Sequence, residues 1–181
     1  MTLPERIVLV GLSGAGKSTV GPLVCEALAA VGAGDWQFVD LDAEIERRVG
    51  RSIPEIFARQ GEAAFRKLER AVSKEVAQRR QVVVAPGGGW IELREAVVEM
   101  LHQSTAVYLR VSPEVAAGRI SAQGGGRPLV AGENPAKKLA EILARREPMY
   151  LQSQHTVSVD SLPPSEVAAT IVALATGGVR N

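Results

Sequence analysis

Short apolar runs alternate along the chain with longer segments in which apolar residues recur every three or four positions. The first run, residues 7–10, is typical of a buried strand, and residues 20–31 follow it with apolar side chains at helical spacing. Strands that alternate with helices form a parallel sheet covered on both faces, so the pattern predicts a single α/β domain. Ligands of such sheets bind beyond the carboxyl ends of the strands.

The predicted strands cover residues 7–10, 37–40, 82–85, 105–110 and 156–159. After a first helix that follows residues 11–18, the predicted helices cover residues 42–49, 52–59, 62–79, 93–101, 113–121, 135–151 and 165–175. Gly50 and Gly61 stand where helix C-caps are expected. Residues 123–134 are rich in glycine and proline and predict a loop.

Composition narrows the range of functions. The chain has 181 residues with 21 basic and 20 acidic side chains, and its net charge of +1 argues against bulk electrostatic binding to nucleic acid or a membrane. Cys25 is the only cysteine, so an internal disulfide is impossible. The N-terminus has no signal-peptide layout, and no apolar run is long enough to span a bilayer. We expect a soluble cytoplasmic monomer with no nucleic-acid or membrane partner.

The most specific pattern is G-L-S-G-A-G-K-S at residues 11–18, which matches the phosphate-binding pattern G-x-x-x-x-G-K-[ST] at every position. Its glycines let backbone N–H groups point at phosphate oxygens, and the helix that follows adds the positive end of its dipole. Lys17 is expected to contact the outer phosphates and Ser18 to ligate Mg²⁺. The alternative is a glycine-rich turn that binds nothing.

Two carboxylates follow the second strand. Residues two apart in an extended chain point to the same side, so Asp40 and Asp42 are expected to leave the strand end together, toward the phosphate site if the first two strands are neighbours. Asp40 is a candidate to hold a magnesium-bound water. Asp42 is a candidate to hold an acceptor hydroxyl or to take its proton. The alternative for Asp42 is to cap the helix predicted at 42–49, and both roles are compatible.

A second group of residues is suited to an acidic acceptor. Arg66 lies one turn inside the helix predicted at 62–79, and a guanidinium can hold a planar carboxylate through two parallel hydrogen bonds. The alternative is a surface ion pair between Arg66 and Glu69. The third strand ends in three consecutive glycines, which are expected where a ligand or another backbone approaches closely, or in a plain turn. These glycines are Gly87, Gly88 and Gly89.

Three further arginines are candidates for the site. Arg127, between glycines and a proline, is suited to a closing flap that neutralises charge on a γ-phosphate and excludes water, although a solvent-exposed arginine is the alternative. Arg119 is a candidate to stack on an adenine, or else a charge favoured by the helix dipole. Arg145 and Arg146 are adjacent and cannot share a direction, so one of them is expected to point to the site.

Taken together, these residues resemble the shikimate kinases, a family of small P-loop kinases, from about residue 7 to residue 160. The similarity is carried by residues 11–18, 38–42, 45–46, 50–53, 56–57, 61–66, 87–89, 127–129 and 145–150. The resemblance implies a three-layer α/β/α fold with a five-stranded parallel sheet in the order 2-3-1-4-5. It also implies ATP-dependent phosphorylation of the 3-hydroxyl of shikimate.

The resemblance also assigns roles within a single domain, residues 1–181, with acceptor-binding helices at about 42–79 and a lid at about 122–134. The implied nucleotide contacts are Gly14, Ala15, Gly16, Lys17, Ser18, Thr19, Arg119 and Arg127, and Mg²⁺ is held through Ser18 and Asp40. The implied acceptor contacts are Asp42, Arg66, Gly87, Gly88, Gly89 and Arg146, beside an apolar wall of Ile53, Phe57 and Phe65. The implied catalytic residues are Lys17, Asp42 and Arg127. Trp90 stands where the family commonly has a small residue and is a candidate to narrow or reshape the acceptor pocket.

Two other functions remain open on the sequence. One is a related sugar-acid kinase of the gluconate type, and the other is an ATP-binding module without turnover. Arg66 and the triple glycine favour shikimate over a sugar acid. Lys17, Asp42 and Arg127 are all present, which argues against a module that binds ATP without using it.

Overall fold

The structure is a computed structural model that describes residues 3–122 and 134–177. Its centre is a parallel sheet of five strands in the order β2-β3-β1-β4-β5, so the sheet order implied by the resemblance is confirmed. The strands are β1 (Arg6–Val10), β2 (Gln37–Asp40), β3 (Val82–Ala85), β4 (Ser104–Arg110) and β5 (His155–Ser158).

Helices connect the strands. They are α1 (Lys17–Ala30), α2 (Leu41–Val49), α3 (Ile53–Val76), α4 (Arg94–Leu101), α5 (Pro113–Ala122), α6 (Pro135–Tyr150) and α7 (Pro164–Ala175), and a 3₁₀ turn covers Trp90–Glu92. The observed strands and helices begin and end within three residues of the predicted bounds, and the helices predicted at 52–59 and 62–79 are the two segments of α3 on either side of a kink at Gly61. No helix within the described ranges has both the length and the apolar character needed to cross a membrane.

Two hydrophobic cores lie on opposite faces of the sheet. Ile7 and Leu9 of β1 pack with α1, α5, α6 and α7 on one face, whereas Val8 and Val10 pack with α2, α3 and α4 on the other. This division follows from the side-chain period of a strand, in which successive residues point to opposite faces. The fold is therefore a three-layer α/β/α sandwich, as the sequence predicts.

Local signals in the sequence explain the region between β2 and β3. Gly50 ends α2 with a left-handed φ of 67°, and Ser52 starts α3 with a capping box that includes Glu55. Gly61 has a φ of 79° and a non-helical conformation inside α3. Gly61 thus marks the predicted break, which changes the direction of the chain shortly before Arg66.

Candidate active site

The phosphate-binding loop, residues 11–18, connects β1 to α1 and depends on its glycines. Gly14 has a φ of 84°, and a Cβ at this position would lie 2.6 Å from the carbonyl oxygen of Ala116. Lys17 is buried, and its Nζ donates to the carbonyl oxygens of Gly11 at 2.8 Å and Leu12 at 3.1 Å. The ammonium group is therefore held over the loop, where phosphate oxygens would meet it.

Ser18 and Asp40 supply oxygen atoms beside this loop. The Ser18 hydroxyl donates to one carboxylate oxygen of Asp40, and the other oxygen accepts from the backbone N–H of Ala43 at 3.1 Å. Hydroxyl and carboxylate oxygens suit Mg²⁺, which often takes one or two protein ligands and completes its shell with water and substrate phosphates. Within the described ranges, no group of three or more His, Cys, Asp or Glu side chains could hold a metal ion. The pair fits an ion shared with a nucleotide.

The structure corrects the expected geometry of the two carboxylates. The chain leaves the extended conformation after Asp40, and Asp40 rather than Asp42 caps α2. The Asp40 side chain can reach the amide of Ala43, which satisfies a donor that the first turn of a helix leaves open. Asp42 consequently lies in the first turn of α2, but both carboxylates still line the same cleft.

The triple glycine explains how the two halves of the site meet. A Cβ at Gly87 would lie 2.8 Å from Asp42 Oδ1, and a Cβ at Gly88 would lie 3.2 Å from the backbone nitrogen of Ser13 in the phosphate-binding loop. A Cβ at Gly89 would lie 2.7 Å from an Arg66 guanidinium nitrogen. A side chain at Gly87 or Gly89 would therefore collide with Asp42 or Arg66, and one at Gly88 would crowd the phosphate-binding loop.

Two arginines from different helices converge at Gly89. Arg66 comes from α3 and Arg146 from α6, and a Cβ at Gly89 would lie 3.2 Å from Arg146 Nη2 as well. Of the adjacent pair at 145 and 146, Arg146 is buried whereas Arg145 is exposed. The structure thus brings together two guanidinium groups that could hold one carboxylate between them.

Carboxylates already orient both guanidinium groups. Arg66 Nη1 donates to Glu69 at 2.7 Å and Arg66 Nη2 to Glu62 at 3.1 Å, while Arg146 Nη2 donates to Glu92 at 2.6 Å. Glu69 is fully buried, so its pair with Arg66 is not the surface ion pair considered as the alternative. Glu92 is a site residue that the sequence does not reveal, because nothing near it in the chain indicates a partner on α6.

The buried position of Glu69 also changes its protonation. Burial raises the pKa of its carboxyl to about 7. The negative charge of Asp42 also raises this pKa, whereas the positive charge of Arg66 lowers it and only partly offsets the effect of burial. Among the described residues, Glu69 Oε1 has no hydrogen-bond partner, so half of the carboxylate is buried without compensation. The carboxyl is therefore easier to protonate than an ordinary glutamate.

We expect the folded state to lose stability as pH rises because of Glu69. The unfolded carboxyl titrates near 4.5 and the folded one near 7, so the folded state binds more protons between these values. The contribution is fully present below pH 4.5 and is lost as pH rises through 7, which amounts to about 3 kcal/mol. Urea unfolding at pH 4.5 and pH 8 should show that Glu69→Gln flattens this dependence and that Glu62→Gln preserves it. Equal pH dependence in both variants would contradict the assignment.

A cleft continues from the phosphate-binding loop toward β5 and α7. Arg119 lies at its side, where Nη2 donates to the Val159 carbonyl oxygen at 2.6 Å and Nη1 to the Gly14 carbonyl oxygen at 3.4 Å. Apolar side chains that the sequence analysis did not identify complete this end of the cleft. They are Val159, Leu162, Pro164 and Val167. This end has the apolar surface and the neighbouring arginine that suit a nucleotide base.

The structure places the remaining candidates as follows. Trp90 is fully buried and its Nε1 donates to the Ser73 hydroxyl at 2.8 Å, so its side chain does not enter the acceptor pocket and cannot narrow it directly, while an effect of Trp90 on the shape of the pocket stays a prediction. The 3₁₀ turn after the glycines directs the indole into the core, where its N–H finds a partner. Phe57 and Phe65 pack with ring centroids 5.0 Å apart on the side of Arg66. Arg127 lies outside the described residues.

A parallel sheet in this order, with a phosphate-binding loop after its first strand, is the architecture of the P-loop kinases, and this chain is one of them. The family model described as shikimate kinase matches residues 13–176. The chain belongs to the shikimate kinase family.

Curated relatives and solved structures agree with the family. The shikimate kinase of Synechococcus sp. (strain RCC307) is 41% identical over 174 residues, which cover 92% of this chain and 82% of that protein. The shikimate kinase of Chlorobium chlorochromatii (strain CaD3) is 43% identical over 166 residues, covering 87% of this chain and 84% of that protein.

Among solved structures, the shikimate kinase from Acinetobacter baumannii in complex with shikimate is 35% identical, with a TM-score of 0.89, and covers 99% of this chain and 97% of that chain. A gluconokinase from Sinorhizobium meliloti 1021 is 20% identical, with a TM-score of 0.58 over 98% of this chain and 94% of that chain, and shares the fold alone.

Proposed function

We propose that this chain transfers the terminal phosphoryl group of ATP to the 3-hydroxyl of shikimate. The observation that carries the proposal is the path of the triple glycine, which runs from Asp42, past the phosphate-binding loop, to Arg66 and Arg146. A small acid with several hydroxyls needs cationic groups that bind its carboxylate at one end and a group that accepts hydrogen bonds from its hydroxyls at the other. Arg66 with Arg146, and Asp42, fit these two needs on either end of the glycine loop, beside the phosphate-binding loop.

The acceptor residues have complementary roles in this proposal. Arg66 and Arg146 hold the carboxylate of shikimate, since their guanidinium groups converge at Gly89. Asp42, at the opposite end of the loop, accepts from the acceptor hydroxyls and is the candidate to take the proton of the reacting one. The apolar wall of the acceptor pocket, beside Arg66, is formed by Ile53, Phe57 and Phe65. The acid is thus oriented at both ends before transfer, which lowers the entropic part of the barrier.

The nucleotide residues neutralise and position the phosphates. The N–H groups of residues 14–19 surround the phosphates, the Lys17 ammonium moves from the loop carbonyls to phosphate oxygens, and Arg119 borders the base. Ser18 and Asp40 hold Mg²⁺, which neutralises phosphate charge when it is bound. Arg127 is proposed on sequence alone as the lid charge over the phosphates. A single domain and a cytoplasmic, monomeric state stay predictions from the sequence.

A coupled assay of ADP release tests the function. We expect turnover with ATP, Mg²⁺ and shikimate, only background release with gluconate or without an acceptor, and no turnover in excess chelator. Turnover with gluconate as acceptor but not with shikimate would identify a sugar-acid kinase. ATP binding without turnover on any member of a panel of hydroxy acids would identify a nucleotide-binding module.

A further inference from the structure

The three carbonyl groups of the glycine loop, residues 87–89, are held in two different ways. The Gly87 carbonyl accepts from the N–H of Trp90 at 3.0 Å, and the Gly89 carbonyl accepts from the N–H of Glu92 at 3.1 Å. These two bonds belong to the local turn. The middle carbonyl, that of Gly88, accepts instead from the hydroxyl of Tyr150 at 2.6 Å, and Tyr150 lies 62 residues further along the chain.

Tyr150 is well placed to fix this loop. The side chain is 1% exposed and its ring stacks on that of Tyr108, with ring centroids 5.1 Å apart. Burial raises the pKa of the Tyr150 phenol, so the hydroxyl keeps the proton that it donates to the Gly88 carbonyl. A short hydrogen bond from a rigid, buried donor restrains the peptide more firmly than a bond from an exposed side chain would.

The bond joins the two halves of the site. Gly88 is the glycine that lies against Ser13 of the phosphate-binding loop, and its neighbours lie against Asp42 and the two arginines. Tyr150 also lies one turn after Arg146 on α6, and the Arg146 guanidinium interacts with the phenol. One helix thus supplies both a clamp arginine and the donor that holds the loop beside it.

We propose that Tyr150 is a positioning residue for phosphoryl transfer, whose hydroxyl fixes the Gly88 peptide and thereby sets the distance between the acceptor residues and the phosphate-binding loop. This inference rests on the proposed function for its kinetic readout. Tyr150 acts through the loop, with no contact to the reacting atoms required. Small displacements of an acceptor reduce transfer strongly, because the reacting atoms must be held within a narrow range of distance.

Tyr150→Phe tests the proposal, because it removes the hydroxyl and retains the ring. We expect kcat/KM for shikimate to fall by about tenfold, with KM for ATP changed by less than about twofold. Hydrogen exchange of the ligand-free protein should be faster at the amides of residues 88–90, since the Gly88 peptide loses its restraint. Melting temperatures are measured for every variant, and the assays are run well below them.

Tyr108→Phe is the matched control. It makes the same change in the partner ring of the stack, whose hydroxyl donates to Glu147 at 3.4 Å and does not contact the glycines. We expect near-normal kinetics and unchanged exchange at residues 88–90. If the unmodified chain turns over shikimate and both variants behave alike, or if Tyr150→Phe raises KM for ATP by as much as it lowers kcat/KM for shikimate, the inference is overturned while the function stands. A lack of shikimate turnover in the unmodified chain would overturn the function and this inference with it.

Discussion

Lys17→Ala is expected to lower turnover by about 10³-fold or more, because it removes the full positive charge nearest the transferring phosphoryl group. In the ligand-free protein the Lys17 ammonium bonds to the carbonyl oxygens of Gly11 and Leu12. These weak neutral acceptors can be exchanged for phosphate oxygens, which form stronger charge-assisted bonds. The Lys17 ammonium is buried and held in position before the nucleotide binds, so it stabilises the negative charge that develops on the phosphates during transfer.

Steady-state ADP release measures this effect, and Lys74→Ala is the matched control. Lys74 is an exposed lysine on α3, so its loss is expected to leave turnover within about twofold of normal. Thermal unfolding of both variants separates catalysis from stability, since Lys17→Ala also removes the donor to two loop carbonyls. A Lys17→Ala protein with nearly normal turnover would mean that the phosphate site has been assigned wrongly.

Much of the fold was predictable because its signals are local. Apolar runs and helical spacing located the strands and helices, and the motif at residues 11–18 carried its own context of strand, turn and helix. The sheet order came from the resemblance, since alternation alone predicts a parallel sheet without the order of its strands.

The errors and omissions at the site have non-local causes. Trp90 is buried, and its indole N–H bonds to Ser73 of α3, a contact between distant residues that the sequence does not show. The partners Arg146 and Glu92 are 54 residues apart, so only the folded chain reveals their contact. The one signal available for Tyr150 was its spacing four residues after Arg146, which places both side chains on one face of α6.

The position of Asp42 shows the limit of a periodic argument. Period-two alternation predicts direction only as long as the chain stays extended, and here the helix starts at Leu41. Asp40 is a strong helix-capping residue, so the extended conformation stops at Asp40, where the predicted strand also ends, and does not continue to Asp42. Both carboxylates nevertheless reach the cleft, because the first turn of α2 lies at the carboxyl end of the sheet.

Arg66→Ala is expected to raise KM for shikimate by about 10²-fold or more, while KM for ATP changes by less than about threefold. Arg66 contributes one of the two guanidinium groups that converge at Gly89, whereas Ser13 of the phosphate-binding loop lies against Gly88. Its loss removes charge-assisted bonds to the acceptor carboxylate and leaves the nucleotide residues in place. The variant also removes the partner of Glu69, whose carboxyl is then expected to stay protonated at neutral pH.

Two further variants separate the clamp from a general effect on the helix. Arg70→Ala removes an exposed arginine one turn further along α3 and is expected to leave both KM values within about twofold of normal. Arg66→Lys is expected to recover only a small part of the lost affinity, because an ammonium group cannot supply the planar pair of donors that a carboxylate accepts. Full recovery of shikimate affinity in Arg66→Lys would mean that Arg66 acts only through its positive charge and not through the planar geometry of its guanidinium group. An equal rise in KM for ATP and shikimate in Arg66→Ala would contradict the clamp, since Arg66 is not among the residues proposed to contact the nucleotide.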